Sequence, residues 1–458
     1  MILRDTHLPL PPALASDLRA RLTGDLVLPG DMDYDAARKV WNGAYDDRQP
    51  AAITRCHTAA DVQAALLAAR DQHAEIAIRG GGHGFGGRST GDGVFVIDVS
   101  PMKATRVHPD AHTIHAEAGL RLGEFIRSTV PFGLGVTTGV VSDTGMAGLT
   151  LGGGTGWLMG KYGLTIDNLL AIELVTADGQ LLRASDEEHP DLFWALRGAG
   201  ANFGIATAFT FQLHPVRQVL GGMLIHPIER AREMLRVYRD FSRVCPDELT
   251  VYAAMLTTPD GHPVAAMGVC YCGDLAEGER AIEPLRRFGP PVADLIHPMD
   301  LYELNCQLDE ANPRGRSYYD KANSVMTLTD EAISGIVEAG EHLTSPFSTV
   351  LIQHMHGAAT RVDPAATAFA LRDETYFVAG IASWETGDPS PHVAWSRALY
   401  QALEPYSRHG TYVNFLSDEG DERIRASYGD SYQRLAALKN RYDPDNLFHL
   451  NQNIKPAH

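Results

Sequence analysis

The residues best suited to chemistry sit in two glycine runs. The first, Arg79-Gly80-Gly81-Gly82-His83-Gly84-Phe85-Gly86-Gly87, directly follows a short apolar strand. Glycine tolerates positive φ and lets bare backbone approach a ligand closely. Successive N–H groups in such a turn form a nest for anionic oxygens, and Arg79 adds positive charge. The second run extends from Thr137 to Gly156 and carries Gly139, Gly145, Gly148, Gly152, Gly153 and Gly154. Two such loops can clasp a pyrophosphate from two sides. A single glycine triplet marks a tight turn as readily as a site, but two runs, one with an embedded histidine, favour a ligand. Neither fits the nicotinamide fingerprint. Gly198-Ala199-Gly200-Ala201-Asn202-Phe203-Gly204 precedes a predicted strand rather than a helix, and no GxxxxGK[ST] loop occurs.

The elements that must position these loops are legible from periodicity. Helical spacing covers Asp61 to Gln72 and Leu120 to Thr129, and short strands cover Glu75 to Ile78 and Val94 to Val99. Leu170 to Thr176 and Gln180 to Ala184 flank Asp178-Gly179, a hairpin signal. Ile205 to Leu213 alternates and stops before Pro215. Beyond Pro215 longer strands alternate with full helices. Strands are expected at 219–225, 249–257, 264–271, 349–355, 376–384 and 411–416. Helices are expected at 229–242, 276–288, 330–343 and 393–406, and the tail from Asp418 reads as helix and then an irregular polar end. The reading is α+β, with an antiparallel, helix-covered sheet in the second half. It divides the chain into a glycine-loop domain at 1–213, completed by 418–458, and a second domain at 214–417, with the site at their interface.

Composition narrows the partners. The chain has 458 residues, which at roughly 100–200 per domain allows two or three domains. Its net charge of −18 repels phosphate backbones and anionic lipid, so neither nucleic acid nor membrane is an expected partner. Arg4, Asp5, Asp17, Arg19 and Arg21, with Pro9, Pro11 and Pro12, interrupt any signal-peptide core, and a cytoplasmic location is expected. Five cysteines do not make a disulfide framework.

In their order, these motifs resemble the berberine-bridge-enzyme-like oxidoreductases of the vanillyl-alcohol-oxidase superfamily, with the p-cresol-methylhydroxylase-type FAD domain. Arg79 to His83 resembles the family's R-x-G-G-H segment, whose histidine bonds to the flavin 8α-methyl carbon. Gly145 to Gly156 and Lys161 to Asn168 are similar to its second FAD loop and the stretch after it. Gly198 to Ile205 resembles a further cofactor-contacting segment. Tyr412-Val413-Asn414-Phe415 resembles its active-site Tyr-x-Asn strand, and Tyr442 to Phe448 with Asn451 to Pro456 its C-terminal signature. The resemblance implies FAD contacts from Arg79, Gly80, Gly81, Gly82, His83, Gly84, Phe85, Thr138, Gly139, Ser142, Asp143, Gly145, Gly148, Gly152, Gly153, Gly204 and Ile205. Asn451 and Asn453 either tie the tail to the cofactor or cap an irregular end. Many relatives attach FAD twice, through a cysteine where this chain has Val141, so a single attachment through His83 is expected.

The resemblance implies hydride transfer from a small alcohol, sugar or secondary metabolite to the flavin, with dioxygen as acceptor. A dehydrogenase using another acceptor and a flavin binder without turnover are the rival readings. Tyr412 is the first candidate base and Tyr162, beside Lys161, the second. Free tyrosine ionises near pH ~10, so either needs help from a cation or from hydrogen bonds. Gln353 and His354 lie on a strand whose family analogue faces substrate, and alternation puts them on opposite faces. His354-x-His356 and Cys270-x-Cys272 have no spacing that joins them into a zinc set. Arg314 to Lys321 reads as a polar loop before a strand-like stretch, either bordering the substrate entrance or, more in keeping with its charge, solvated.

Overall fold

The computed structural model describes residues 10–457. Arg4, Asp5 and Pro9, used above to argue against a leader, lie outside the described residues.

Four strands form the first sheet: β1 (Asp25–Val27), β2 (Ala52–Arg55), β3 (Ile76–Arg79) and β4 (Phe95–Asp98), in the order β1-β2-β4-β3. The β2, β4 and β3 strands are parallel, and the helix Ala59–Asp71 makes the crossover. That helix starts where the sequence dictates. The Thr58 hydroxyl accepts from the Asp61 N–H at 3.2 Å, and the Asp61 carboxylate accepts from the Thr58 N–H at 3.0 Å, a reciprocal cap. Its Val62, Ala65, Leu66 and Ala69 face is buried.

Chain order continues with β5 (Thr105–His108), β6 (Thr113–Glu117), the two-residue β7 (Leu134–Gly135), β8 (Leu169–Val175), β9 (Leu181–Ser185), β10 (Ile205–Gln212) and β11 (His214–Pro215). Five of these build an antiparallel sheet ordered β5-β6-β10-β8-β9, and β7 pairs with β11. The β8–β9 hairpin turns at Asp178-Gly179, where Gly179 has φ +85°, the left-handed conformation glycine supplies cheaply.

A nine-stranded sheet takes up the second half: β12 (Val219–Pro227), β13 (Leu249–Thr257), β14 (Pro263–Tyr271), β15 (Ala293–Asp294), β16 (His297–Met299), β17 (Ser317–Val325), β18 (Thr349–Met355), β19 (Thr375–Trp384) and β20 (Ser407–Arg408). Its centre runs β12-β14-β13-β18-β19-β17, all antiparallel. Helices Ala231–Ser242, Leu275–Arg286, Asp330–Glu341 and Ser390–Leu403 cover one face. Leu235, Tyr238, Val251, Ile333, Val350, Ile352, Val378 and Leu399 make the core between that face and the helices. The other face meets the glycine-loop half, where Tyr252, Met355, Phe377 and Tyr412 join the main core.

The tail forms helices Asp421–Tyr428 and Ser431–Tyr442, then runs irregularly back over the first half. Buried Lys439 fixes it there, donating to Asn202 O at 2.7 Å, Asp443 Oδ2 at 2.7 Å and Phe448 O at 2.9 Å. The fold is α+β in two parts, as its composition of elements implied. Among the described residues no helix is long and apolar enough to cross a membrane.

Two expectations need correction. Residues 411–416 are not a strand. They curl into a turn, Val413–Phe415, because the Tyr412 and Asn414 side chains turn inward to bond the second glycine run. Residues 314–321 are not merely a polar loop, since β17 starts at Ser317. The Asn42 side chain satisfies its first backbone groups, accepting from Tyr318 N at 2.9 Å and donating to Tyr318 O at 2.8 Å.

Candidate active site

The first glycine run leaves the end of β3. Arg79 is buried beside Asp98, its register partner on β4, at 3.6 Å. Its guanidinium also donates to the carbonyls of Ala37, Arg38 and Ser89. The cation therefore braces the flanks of the loop, and Asp98 offsets its charge. Gly81 lies directly on Gly145 of the second run: a Cβ on Gly81 would sit 2.4 Å from Gly145 Cα. The two runs meet without side chains between them, and Gly84 faces no atom within 4 Å of where a Cβ would be.

His83 carries the chemistry of this loop. Its ring stacks on Trp41 at 4.1 Å between centroids, and Trp41 stacks on Tyr318 at 3.8 Å. No described residue hydrogen-bonds to the buried Nε2 of His83. Burial, and then the Arg314 cation, push its pKa down to about 3, so the ring is neutral at physiological pH. Arg314 donates to Gly81 O at 2.6 Å and pairs with Asp143 at 2.6 Å, joining the two runs from the far half of the chain.

The second run is anchored along its length. Ser142 N donates to Asp309 Oδ1 at 2.9 Å, Gly139 O accepts from Asn305 Nδ2 at 2.6 Å, and Asp143 also pairs with Arg121. Gly145 opens the short helix Met146–Gly152 with no side-chain cap. Gly148, on that helix, has open space where a Cβ would point. Farther on the glycines serve packing. A Cβ on Gly152 would meet Asn414 at 2.1 Å, one on Gly153 would meet Phe369 at 2.8 Å, and one on Gly156 would lie 1.6 Å from Thr138 O. Gly204 packs against β8 in the same way, with Val175 O at 2.8 Å, and Ile205 pairs in register with Val175.

Tyr412 is nearly wholly buried. Its hydroxyl accepts from Gly154 N at 2.8 Å and from Asn414 Nδ2 at 2.7 Å. Burial pushes the phenol up to about 12, while the two donors pull it down. Gln353 lies close by, with its Oε1 3.4 Å from Thr155 Oγ1, and it pairs in register with Tyr252. No described residue bonds to the buried Tyr252 hydroxyl or to the indole nitrogen of Trp157, which stacks on Tyr252 at 4.7 Å. Gly154, Thr155, Gln353, Tyr252 and Tyr412 thus converge.

His354 does not join them. It points to the helix-covered face, stacking on Tyr376 at 4.4 Å and bonding Glu374 at 2.9 Å, because successive strand residues alternate faces. Tyr162 is also set apart. Its ring stacks on His214 at 4.0 Å, and no described contact links it to Tyr412.

The C-terminal residues 451–453 reach the same region. Arg88, one residue past the first run, donates to Asn451 O at 2.9 Å and to Ser417 O at 2.8 Å. Asn451 Oδ1, Gln452 Oε1 and Asn453 Oδ1 are buried without a described partner. Buried polar atoms are normally satisfied. With the open positions at Gly84 and Gly148 and the free nitrogen of His83, they form a cradle that fits a large polar cofactor such as FAD. Two further residues were not singled out from the sequence, although Asp320 lies within the Arg314–Lys321 stretch read as a polar loop. Trp41 sits in a stretch without periodic signal. Asp320, on the same β17 face as Tyr318, accepts from the Ser417 hydroxyl and leaves Oδ2 without a described partner.

Residues 50–185 match the family described as FAD binding domain, and residues 411–455 the one described as berberine and berberine like. An FAD-linked oxidoreductase of Dictyostelium discoideum is 34% identical over 86% of this chain and 86% of its own. The (R)-6-hydroxynicotine oxidase of Paenarthrobacter nicotinovorans is 31% identical over 95% of this chain and 97% of its own. Among solved structures, the berberine-bridge-enzyme-like 1 protein of Physcomitrella patens superposes with a TM-score of 0.87 at 25% identity, covering 97% of this chain and 99% of that one.

Proposed function

Because the chain belongs to the berberine-bridge-enzyme-like FAD-linked oxidoreductases, we propose that it is an oxidase carrying FAD on His83 and acting on a small organic alcohol, sugar or secondary metabolite. One observation carries the reading: a neutral imidazole on the first glycine loop, clamped on one face and with a buried nitrogen that no described residue uses. When bound, FAD supplies the acceptor for a hydride from the substrate C–H bond, and dioxygen takes the electrons on as hydrogen peroxide.

The protein's part is to hold and to move a proton. Tyr412 takes the substrate O–H proton. Gly154 N–H and Asn414 Nδ2 already aim at its oxygen and favour the phenolate. Its raised pKa means that the basic form grows as pH rises. Gln353 and Tyr252 orient the substrate from the sheet. Residues 1–213 with 418–458 form the FAD part and 214–417 the substrate part, a division supported by the bonds from Lys439 and Ile454 N back to Asn202. Attachment is single, with Val141 offering no thiol. Cys306 is the cysteine to watch, since it follows Asn305, whose side chain donates to Gly139 O of the second run.

Acid precipitation tests the attachment. The denatured pellet stays yellow, and peptide mapping finds the flavin on His83 and not on Cys306. A colourless pellet refutes it. Mixing anaerobically reduced enzyme with air then tests the oxidase reading, and slow reoxidation would assign the dehydrogenase instead.

A further inference from the structure

The ring stack Tyr318–Trp41–His83 brings together three residues from separate parts of the chain. The two centroid separations are 3.8 and 4.1 Å, and each pair is within 16° of parallel. Every attachment of the middle ring is tight. Trp41 N donates to Gly82 O at 2.9 Å, its indole nitrogen donates to Asn312 O at 3.0 Å, and its carbonyl accepts from Gly315 N at 2.9 Å. Asn42 bonds both Phe85 O, at 2.7 Å, and the Tyr318 backbone. The loop that carries His83 and the segment that carries Tyr318 are thus stitched to the same two residues.

Plain core packing would account for a buried tryptophan between two rings. It would not account for the free edge. Stacking occupies the face of the imidazole and leaves its in-plane nitrogens outside the contact, and Nε2 is the atom left without a described partner. Arg314 holds the neighbouring carbonyl of the same loop, Gly81 O.

We propose that Trp41 is the positioning residue for flavin attachment, fixing the plane of the His83 imidazole so that its unshared nitrogen faces the flavin methyl carbon. The inference rests on the reading that His83 carries the cofactor. Trp41 touches neither flavin nor substrate in this role. It acts through His83, so its removal slows bond formation and leaves reversible FAD binding, which the rest of the cradle provides.

The test compares wild type, Trp41→Leu and Trp41→Phe, each purified as expressed and then supplied with FAD. Total flavin is read by absorbance, and attached flavin by the fluorescence retained in the acid-denatured band over time. Trp41→Leu keeps its total flavin but attaches it ~10-fold more slowly, the penalty of a lost orientation, and the aromatic Trp41→Phe restores most of the rate. Attachment by Trp41→Leu at the wild-type rate overturns the inference while leaving His83 attachment intact. A wild-type pellet without colour overturns the attachment reading itself, which separates the two failures. If Trp41→Leu does not fold, Tyr318→Leu loosens the same stack from its far side; slower attachment supports the inference and an unchanged rate overturns it.

Discussion

The two glycine runs look alike in sequence and are used in opposite ways. In the second, Gly152, Gly153 and Gly156 lie where Asn414, Phe369 and the Thr138 carbonyl need their space, and Gly148 alone of the helical glycines there faces open room. In the first, Gly81 is pressed on Gly145, but Gly84 is open and the histidine before it keeps a free buried nitrogen. Glycine density therefore signals close packing as readily as binding. The embedded histidine and the open positions are what distinguish a binding loop from a packed one.

The sharpest way to break that contrast is to add methyl groups. Gly156→Ala would put Cβ into the Thr138–Gly139 backbone and costs ~3 kcal/mol or more, read as a lowered urea midpoint or loss of soluble protein. Gly148→Ala meets nothing and sits in a helix, so it raises stability by up to ~1 kcal/mol while lowering flavin content. Unchanged flavin content in Gly148→Ala would remove that residue from the cofactor wall.

Tyr412→Phe comes next. It strips the acceptor from Gly154 N and Asn414 Nδ2, costing ~1–3 kcal/mol of stability, and lowers kcat by ~10²-fold or more if the hydroxyl is the base. Steady-state turnover over a pH series checks this, since wild-type activity climbs toward the alkaline side and the variant's does not.

Asp320 gives a pH effect of the opposite kind. Burial raises its carboxyl from 3.8 to about 8, so between those values the folded chain holds a proton that the unfolded chain has released. Its contribution to stability falls as pH rises through that window and levels off above about pH 8. Asp320→Asn removes this part of the slope, and urea midpoints across the window would show it. The smallest effect belongs to the two sides of β18. Gln353→Ala raises KM, whereas His354→Ala, on the helix-covered face, leaves kcat and KM within about 2-fold.

Much of this was legible beforehand. The helix over 61–72, the Asp178-Gly179 hairpin and the long strands beyond Pro215 follow from turn chemistry and apolar period, which neighbouring residues fix. The Tyr-x-Asn segment misled because Tyr412, Val413 and Phe415 imitate strand alternation, while two inward hydrogen bonds curl the backbone. Arg314 read as solvated because nothing near it in sequence tells of Gly81.

The sequence by itself determined the loops, the histidine, the absent cysteine at Val141, and that Gln353 and His354 must face opposite ways. Tertiary structure alone decided which of the two looks inward, which glycines are open, and that Trp41 lies on His83. Local pattern sets each strand's period and each turn. Which side chains meet across hundreds of residues depends on how the sheets and loops stack, and residue spacing carries no record of that.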